Sequence, residues 1–232
     1  MDKNFIIMSK IRTQINLPES WLLEHKKYFD LESLGAPINY ICDEFLKNKK
    51  IAPTPQNIFK AFELCAYQQT KVVIFGQDPY FQEGLANGLA FSVSKDNPLP
   101  ASLKNIYKEI KNDIGVLHNK DGSLETWALQ GVLLLNSCLT VEVSKPGSHI
   151  EIGWDNFIKE IIYLLNKKSN LVFFLWGKNA QKYVEYIDSN SHLILTAAHP
   201  SPLSAYKGFF GCKHFSKCNN YLRVNGIDEI NW

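Results

Sequence analysis

The chain reads as an α/β protein, a single three-layer domain whose central four-stranded parallel sheet is flanked by helices. Four short apolar runs rich in β-branched and aromatic residues, 71–75, 131–136, 171–176 and 192–196, alternate with stretches of helical periodicity. Strands joined through helices form parallel sheets with right-handed crossovers. Each run also breaks into a polar or glycine-bearing turn, and the carboxyl edge of such a sheet is where ligands bind. At 232 residues the chain suits one large domain. Residues 1–232 are therefore taken as one unit, with a helical segment of about residues 1–50 packed on it.

Residues 17–50 read as helical: Ser20 is placed to cap a first helix before Trp21, and a second amphipathic run carries Ile38, Ile41, Phe45 and Leu46. A proline-stiffened connector at 51–55 precedes a helix over 57–67, which delivers the chain to the first strand. Gly84 and Gly88 then punctuate a loop leading to the apolar segment 89–93. Ser102 is expected to cap a helix through Leu103, Ile106, Tyr107 and Ile110, whose amino end offers unpaired N–H groups to a phosphate. Trp154, Phe157, Ile158, Ile161, Ile162 and Leu165 mark a strongly amphipathic helix. Another, through Ala180, Tyr183, Val184 and Ile187, joins the third strand to the fourth.

Composition narrows the function. The formal net charge of +2 announces no nucleic-acid partner by itself, so any such contact must use local charge. The apolar patch 5–8 is too short for a signal-peptide core or a membrane span, which leaves a cytoplasmic protein of bacterial type, or one imported into a nucleus or organelle by another signal, with no membrane partner. Five cysteines without a C-x-x-C pair suit a reducing compartment. Cys212, His214 and Cys218 are three potential zinc ligands, but a structural site wants four, so no metal is expected. No Walker loop or G-x-G-x-x-G follows any strand, which argues against a nucleotide-binding enzyme of the doubly wound type.

The chemistry gathers at the strand ends. Gly76 is expected to supply conformational freedom after the first strand, and Pro79 to hold the Asp78 carboxylate on a stiff corner. An isolated Asp-Pro is commonly just a turn, as an isolated strand-end Asn is; here Gln77-Asp78-Pro79-Tyr80, Asn136, Gly177-Lys178 and His199-Pro-Ser-Pro-Leu-Ser204 all fall on one edge.

With Leu139-Thr-Val141 and Ser204-Ala-Tyr-Lys-Gly-Phe-Phe-Gly211, these motifs in this order resemble family 1 uracil-DNA glycosylase, from about Ile51 to Trp232. The resemblance implies a monofunctional enzyme that flips uracil out of single- or double-stranded DNA and hydrolyses its glycosidic bond, the first step of base excision repair. It needs no cofactor and is expected to be a monomer. It implies that Asp78 and His199 are catalytic, Asp78 at the sugar cation and the water, His199 at uracil O2. Gln77, Tyr80, Phe91 and Asn136 would bind uracil: Asn136 by pairing with its N3–H and O4, Phe91 by stacking, Tyr80 by excluding a methyl at C5. Ser102, Gly177, Lys178, Ser201 and Ser204 would contact DNA, with Lys207 adding charge, and Leu203 would enter the stack as a wedge. A proteinaceous glycosylase inhibitor is a further implied partner. Three positions depart from the family pattern: Phe81 stands where His is usual, Leu99 interrupts the prolines before Ser102, and Lys178 replaces Ser. A DNA-binding or processivity subunit on the same fold is the other reading, though it would need none of Asp78, Asn136 and His199.

Overall fold

The four apolar runs form one sheet in the computed structural model, which describes residues 11, 13–118 and 120–232. Strands β2 (Val72–Gly76), β3 (Val132–Asn136), β5 (Val172–Trp176) and β6 (Leu193–Ala197) lie in the order β3-β2-β5-β6, all parallel. β2, β3 and β5 are buried along their whole length, while β6, at the edge, is only partly covered. A strand covered on both faces has no polar side to show, which is why these runs are apolar without alternation. A two-residue ribbon, β1 (Ile51–Ala52) antiparallel to β4 (Val141–Glu142), was not evident from the sequence. The register sets Gly76 beside Asn136 and Trp176 beside Ala197, so the chain leaves the sheet at one level.

Among the described residues from 19 onward, the helices are α1 (Glu19–His25), α2 (Glu32–Leu46), α3 (Lys60–Leu64), α4 (Ala101–Ile114), α5 (Glu125–Ala128), α6 (Trp154–Leu165), α7 (Lys178–Gln181) and α8 (His214–Val224). Both expected serine caps are corrected. Pro18 holds the boundary of α1, its carbonyl accepting from the N–H groups of Trp21 and Leu22, so Ser20 lies inside the first turn. Pro100 does the same for α4, accepting from Lys104, and Ser102 is the second helical residue. Proline's fixed φ near −60° with an extended ψ makes it the last non-helical residue at each site. The helix expected over 57–67 is confined to α3, between 3-10 turns at Pro55–Asn57 and Tyr67–Gln69. Likewise α7 stops at Gln181 and is followed by a 3-10 turn at Val184–Tyr186.

The amino-terminal helices lie against α6. The His25 ring is buried and shares a 2.7 Å hydrogen bond with Glu160, which also accepts from Ser33, while the Trp21 indole donates to the Cys65 carbonyl at 2.8 Å. The apolar patch 5–8 lies outside the described residues. Among those described, no helix is long and apolar enough to cross a membrane. Nor is any group of three His, Cys, Asp or Glu placed to hold a metal: His214 accepts the Trp176 indole N–H at 3.0 Å, and Cys212 turns to Glu109.

Candidate active site

Gly76 ends β2 with Asn136 directly alongside on β3. Its φ is not positive, and the expected need for conformational freedom gives way to a need for room. A Cβ there would lie 2.2 Å from Asn136 Oδ1 and 2.9 Å from the Ala90 Cβ. The glycine is the floor on which the Asn136 amide rests. Asn136 is 6 % exposed, and no hydrogen bond from the described residues occupies its amide, which faces a pocket of about 180 Å³.

That pocket brings together Asp78, Tyr80, Phe91, Asn136 and His199, with Gln77 and Ser102 in its wall. Asp78 follows the β2 turn, and its Oδ2 accepts the Gly147 N–H at 2.8 Å. Burial pushes its carboxyl above the usual carboxylate range, a rise that the Gly147 N–H partly offsets. The Gln77 carbonyl accepts from the Cys138 N–H and the Ser137 hydroxyl, both at 2.9 Å, and its side-chain oxygen accepts from Asn179 at 2.6 Å. The turn that carries Asp78 is thereby bonded to both neighbouring segments of the sheet edge.

Tyr80 and Phe91 form one wall, the Tyr80 hydroxyl donating to the Phe91 carbonyl at 3.2 Å. Phe91 has φ of 64°, uncommon for a bulky residue, and its ring centroid stands 5.7 Å from that of His199 at 41°. Strained backbone of this kind persists where surrounding structure holds a side chain for use.

His199 lies two residues beyond β6. Its Nδ1 accepts the Ser201 N–H at 3.0 Å, which leaves the proton of the neutral ring on Nε2. Burial holds its pKa below the ordinary imidazole value, so the ring is neutral at pH 7. Gly177 has φ 84° and ψ 166°, a region open essentially to glycine alone, and a Cβ there would lie 2.9 Å from the His199 Cβ. Close approach of the β5 turn to the imidazole is thus what this glycine allows.

Gly177 and Lys178 line a separate, smaller cavity on the other side of Gln77 and His199, with the Lys178 side chain exposed. In the final loop the Ser201 hydroxyl accepts the Leu203 N–H at 3.2 Å and the Ser204 hydroxyl donates to the His199 carbonyl at 2.8 Å. Leu203 stands 87 % exposed at its tip. The sequence reading missed Pro146 in the pocket wall and the Gly147 N–H on Asp78. Pro146-Gly147 is a visible turn signal, but no sequence pattern says where its N–H will point. Phe81, noticed only as a departure, lines the same pocket.

Fold and pocket define an α/β protein with a small cleft at the carboxyl edge of its parallel sheet, where a desolvated carboxyl group and a neutral imidazole share one lining. The chain belongs to the uracil DNA glycosylase superfamily, whose signature matches residues 62–223. It is 48% identical over 219 residues to uracil-DNA glycosylase 2 of Bacteroides fragilis, covering 94% of this chain and 99% of that one. With the uracil-DNA glycosylase of Amoebophilus asiaticus it shares 50% identity over 225 residues, covering 94% and 100%. Among solved structures, mimivirus uracil-DNA glycosylase superposes with a TM-score of 0.87 at 28% identity, covering 96% of this chain and 88% of the other. A mimivirus UNG variant in complex with UGI gives 0.88 at 28% identity, covering 96% and 90%.

Proposed function

We propose that this protein is a monofunctional uracil-DNA glycosylase of family 1, residues 1–232 acting as a single glycosylase domain. It hydrolyses the N-glycosidic bond of uracil in single- and double-stranded DNA, the first step of base excision repair. The observation that carries the reading is the convergence of Asp78, Asn136 and His199 on one pocket. As the bond from C1′ to uracil N1 lengthens, positive charge grows on the sugar and negative charge on the base. The Asp78 carboxylate, poorly solvated, stabilises the sugar cation and takes the proton of the attacking water, whose oxygen bonds to C1′. Uracil leaves as an anion, and the Nε2–H of His199 donates to O2 as charge collects there.

Selection rests on two walls. The Asn136 amide accepts from uracil N3–H and donates to O4; cytosine offers the reverse pattern and would leave buried polar groups unpaired, which disfavours it strongly. The Tyr80 ring closes the space that a methyl at C5 would need, Phe91 stacks on the base, and Gln77 contributes backbone contacts. The nucleotide reaches this pocket only by leaving the duplex, at a cost of a few kcal/mol of unstacking, and Leu203 fills the gap. Ser102, Gly177, Lys178, Ser201 and Ser204 hold the flanking phosphates without reading sequence. The protein works as a cytoplasmic monomer, and a proteinaceous inhibitor of the UGI kind is a further partner; the bacterial relatives support the compartment and the mimivirus complex supports the inhibitor.

The test is release of uracil from an oligonucleotide with one uracil, read as an alkali-sensitive abasic site. The native chain should produce it, while Asp78→Asn and His199→Ala each lower the rate by orders of magnitude with the fold retained. Near-native turnover in both variants would refute the assignment, and a native chain that binds the strand but leaves uracil in place would make it a binding subunit.

A further inference from the structure

Helix α4 carries three polar side chains four residues apart, Asn105, Glu109 and Asp113, and each holds the chain that follows β6. Residues so spaced share one face of a helix. Asn105 Nδ2 donates to the Pro200 carbonyl at 2.8 Å. Glu109, 1 % exposed, accepts the N–H groups of Gly211 at 2.8 Å and Lys213 at 3.1 Å. Asp113 accepts the Ser216 N–H at 2.8 Å and the Ser216 hydroxyl. The last two secure the far end of the segment and the start of α8. Asn105 secures the near end, where His199 and Leu203 stand.

The loop between is a knot bonded to itself. Ser201 N–H reaches His199, Leu203 N–H reaches Ser201, and the Ser204 hydroxyl reaches the His199 carbonyl. Among the described residues, the Asn105 bond alone ties residues 199–204 to one of the flanking helices by hydrogen bonding. Asn105 is also one turn along α4 from Ser102, which stands in the pocket wall.

We propose that Asn105 is a positioning residue for uracil release from duplex DNA: by holding Pro200 it fixes the Leu203 tip in register with the amino end of α4 and the pocket beside it. The proposal rests on the glycosylase reading. In a duplex the tip must fill the space left by the flipped nucleotide against an opposing strand; in a single strand it has no such space to fill. A tether acting through the tip therefore matters for one substrate and little for the other, whereas damage to the pocket or the fold lowers both.

The experiment compares kcat/KM on one uracil-containing oligonucleotide, alone and annealed to its complement, for the native chain, N105A and N105D. N105D keeps the shape but presents an acceptor to an acceptor. Both rates are read on one preparation, so any unfolded fraction cancels from their ratio. Both variants should lower the duplex-to-single-strand ratio by roughly fivefold to tenfold, the worth of one hydrogen bond, with the single-strand rate within about twofold of native. An unchanged ratio in both variants, or equal loss on the two substrates, overturns the tether. A native chain inactive on both substrates overturns the glycosylase reading, and the tether with it.

Discussion

Replacing Gly76 by alanine probes the site through a single methyl group. The new Cβ would stand 2.2 Å from Asn136 Oδ1, where ordinary contact begins at 3.4 Å, so something must retreat by more than an ångström. β2 cannot back away, because the Ala90 Cβ is already 2.9 Å from the same point and both strands are buried along their length. The Asn136 amide is the part free to turn, and turning it misaligns the edge proposed to pair with uracil. A displacement near 1 Å costs about a hundredfold in rate, and forcing a methyl into a packed interior costs about 1–3 kcal/mol. In a chain of this size each kcal/mol lowers the melting midpoint by roughly 2–4 °C. Single-turnover uracil release and a thermal melt measure both effects. Gly35→Ala is the control: nothing lies within 4 Å of the added Cβ, the residue sits within α2, and the change should stabilise by about 0.5–1 kcal/mol with activity unaltered. A Gly76→Ala protein that releases uracil at the native rate would show that the Asn136 amide is not the reading group.

Gly177→Ala should lose about 1–3 kcal/mol from its glycine-only backbone and more than tenfold in rate as His199 is pushed; native kcat in a folded variant would count against the packing described. Asp78 has its carboxyl raised by burial, so the folded state holds that proton more tightly than the unfolded chain. The associated stability is present below the unfolded pKa and is lost as pH rises through the higher folded value. Ionised Asp78 therefore weighs against the fold at pH 7, and Asp78→Asn should melt above the native protein there while losing activity; a lower midpoint would contradict this. By the same shift, the acid limb of kcat against pH should lie above the ordinary carboxylate range. Lys178→Ala should weaken DNA binding and reduce the slope of log K against log salt by about one; an unchanged slope removes Lys178 from the phosphate contacts.

The sheet was legible because burial on both faces demands continuous apolar runs, and the four runs match the four strands within a residue or so. The helix starts were read less well. Ser20 and Ser102 have the chemistry of caps, but Pro18 and Pro100 had already set the boundary through their backbone geometry. Most of the candidate site residues stood out because they follow strand ends, and all but Gly177, Lys178, Ser201, Leu203, Ser204 and Lys207 of those singled out line the central pocket. Groups contributing only a backbone N–H, as Gly147 does to Asp78, leave no mark in side-chain chemistry. Asn105 escaped notice for a related reason: a polar residue within an amphipathic helix looks solvated until the segment that covers it is known.

By itself the order of residues determined that strands would end just before Asp78, at Asn136 and ahead of a loop bearing His199, since hydrophobic periodicity and turn chemistry act within a few residues. Tertiary structure alone decided that Gly76 and Gly177 are glycines for lack of space, that a distant loop donates to Asp78, and that α4 holds the Leu203 loop. Each of those facts depends on which atoms from remote segments come within a few ångströms, and that distance exists only once the layers have packed.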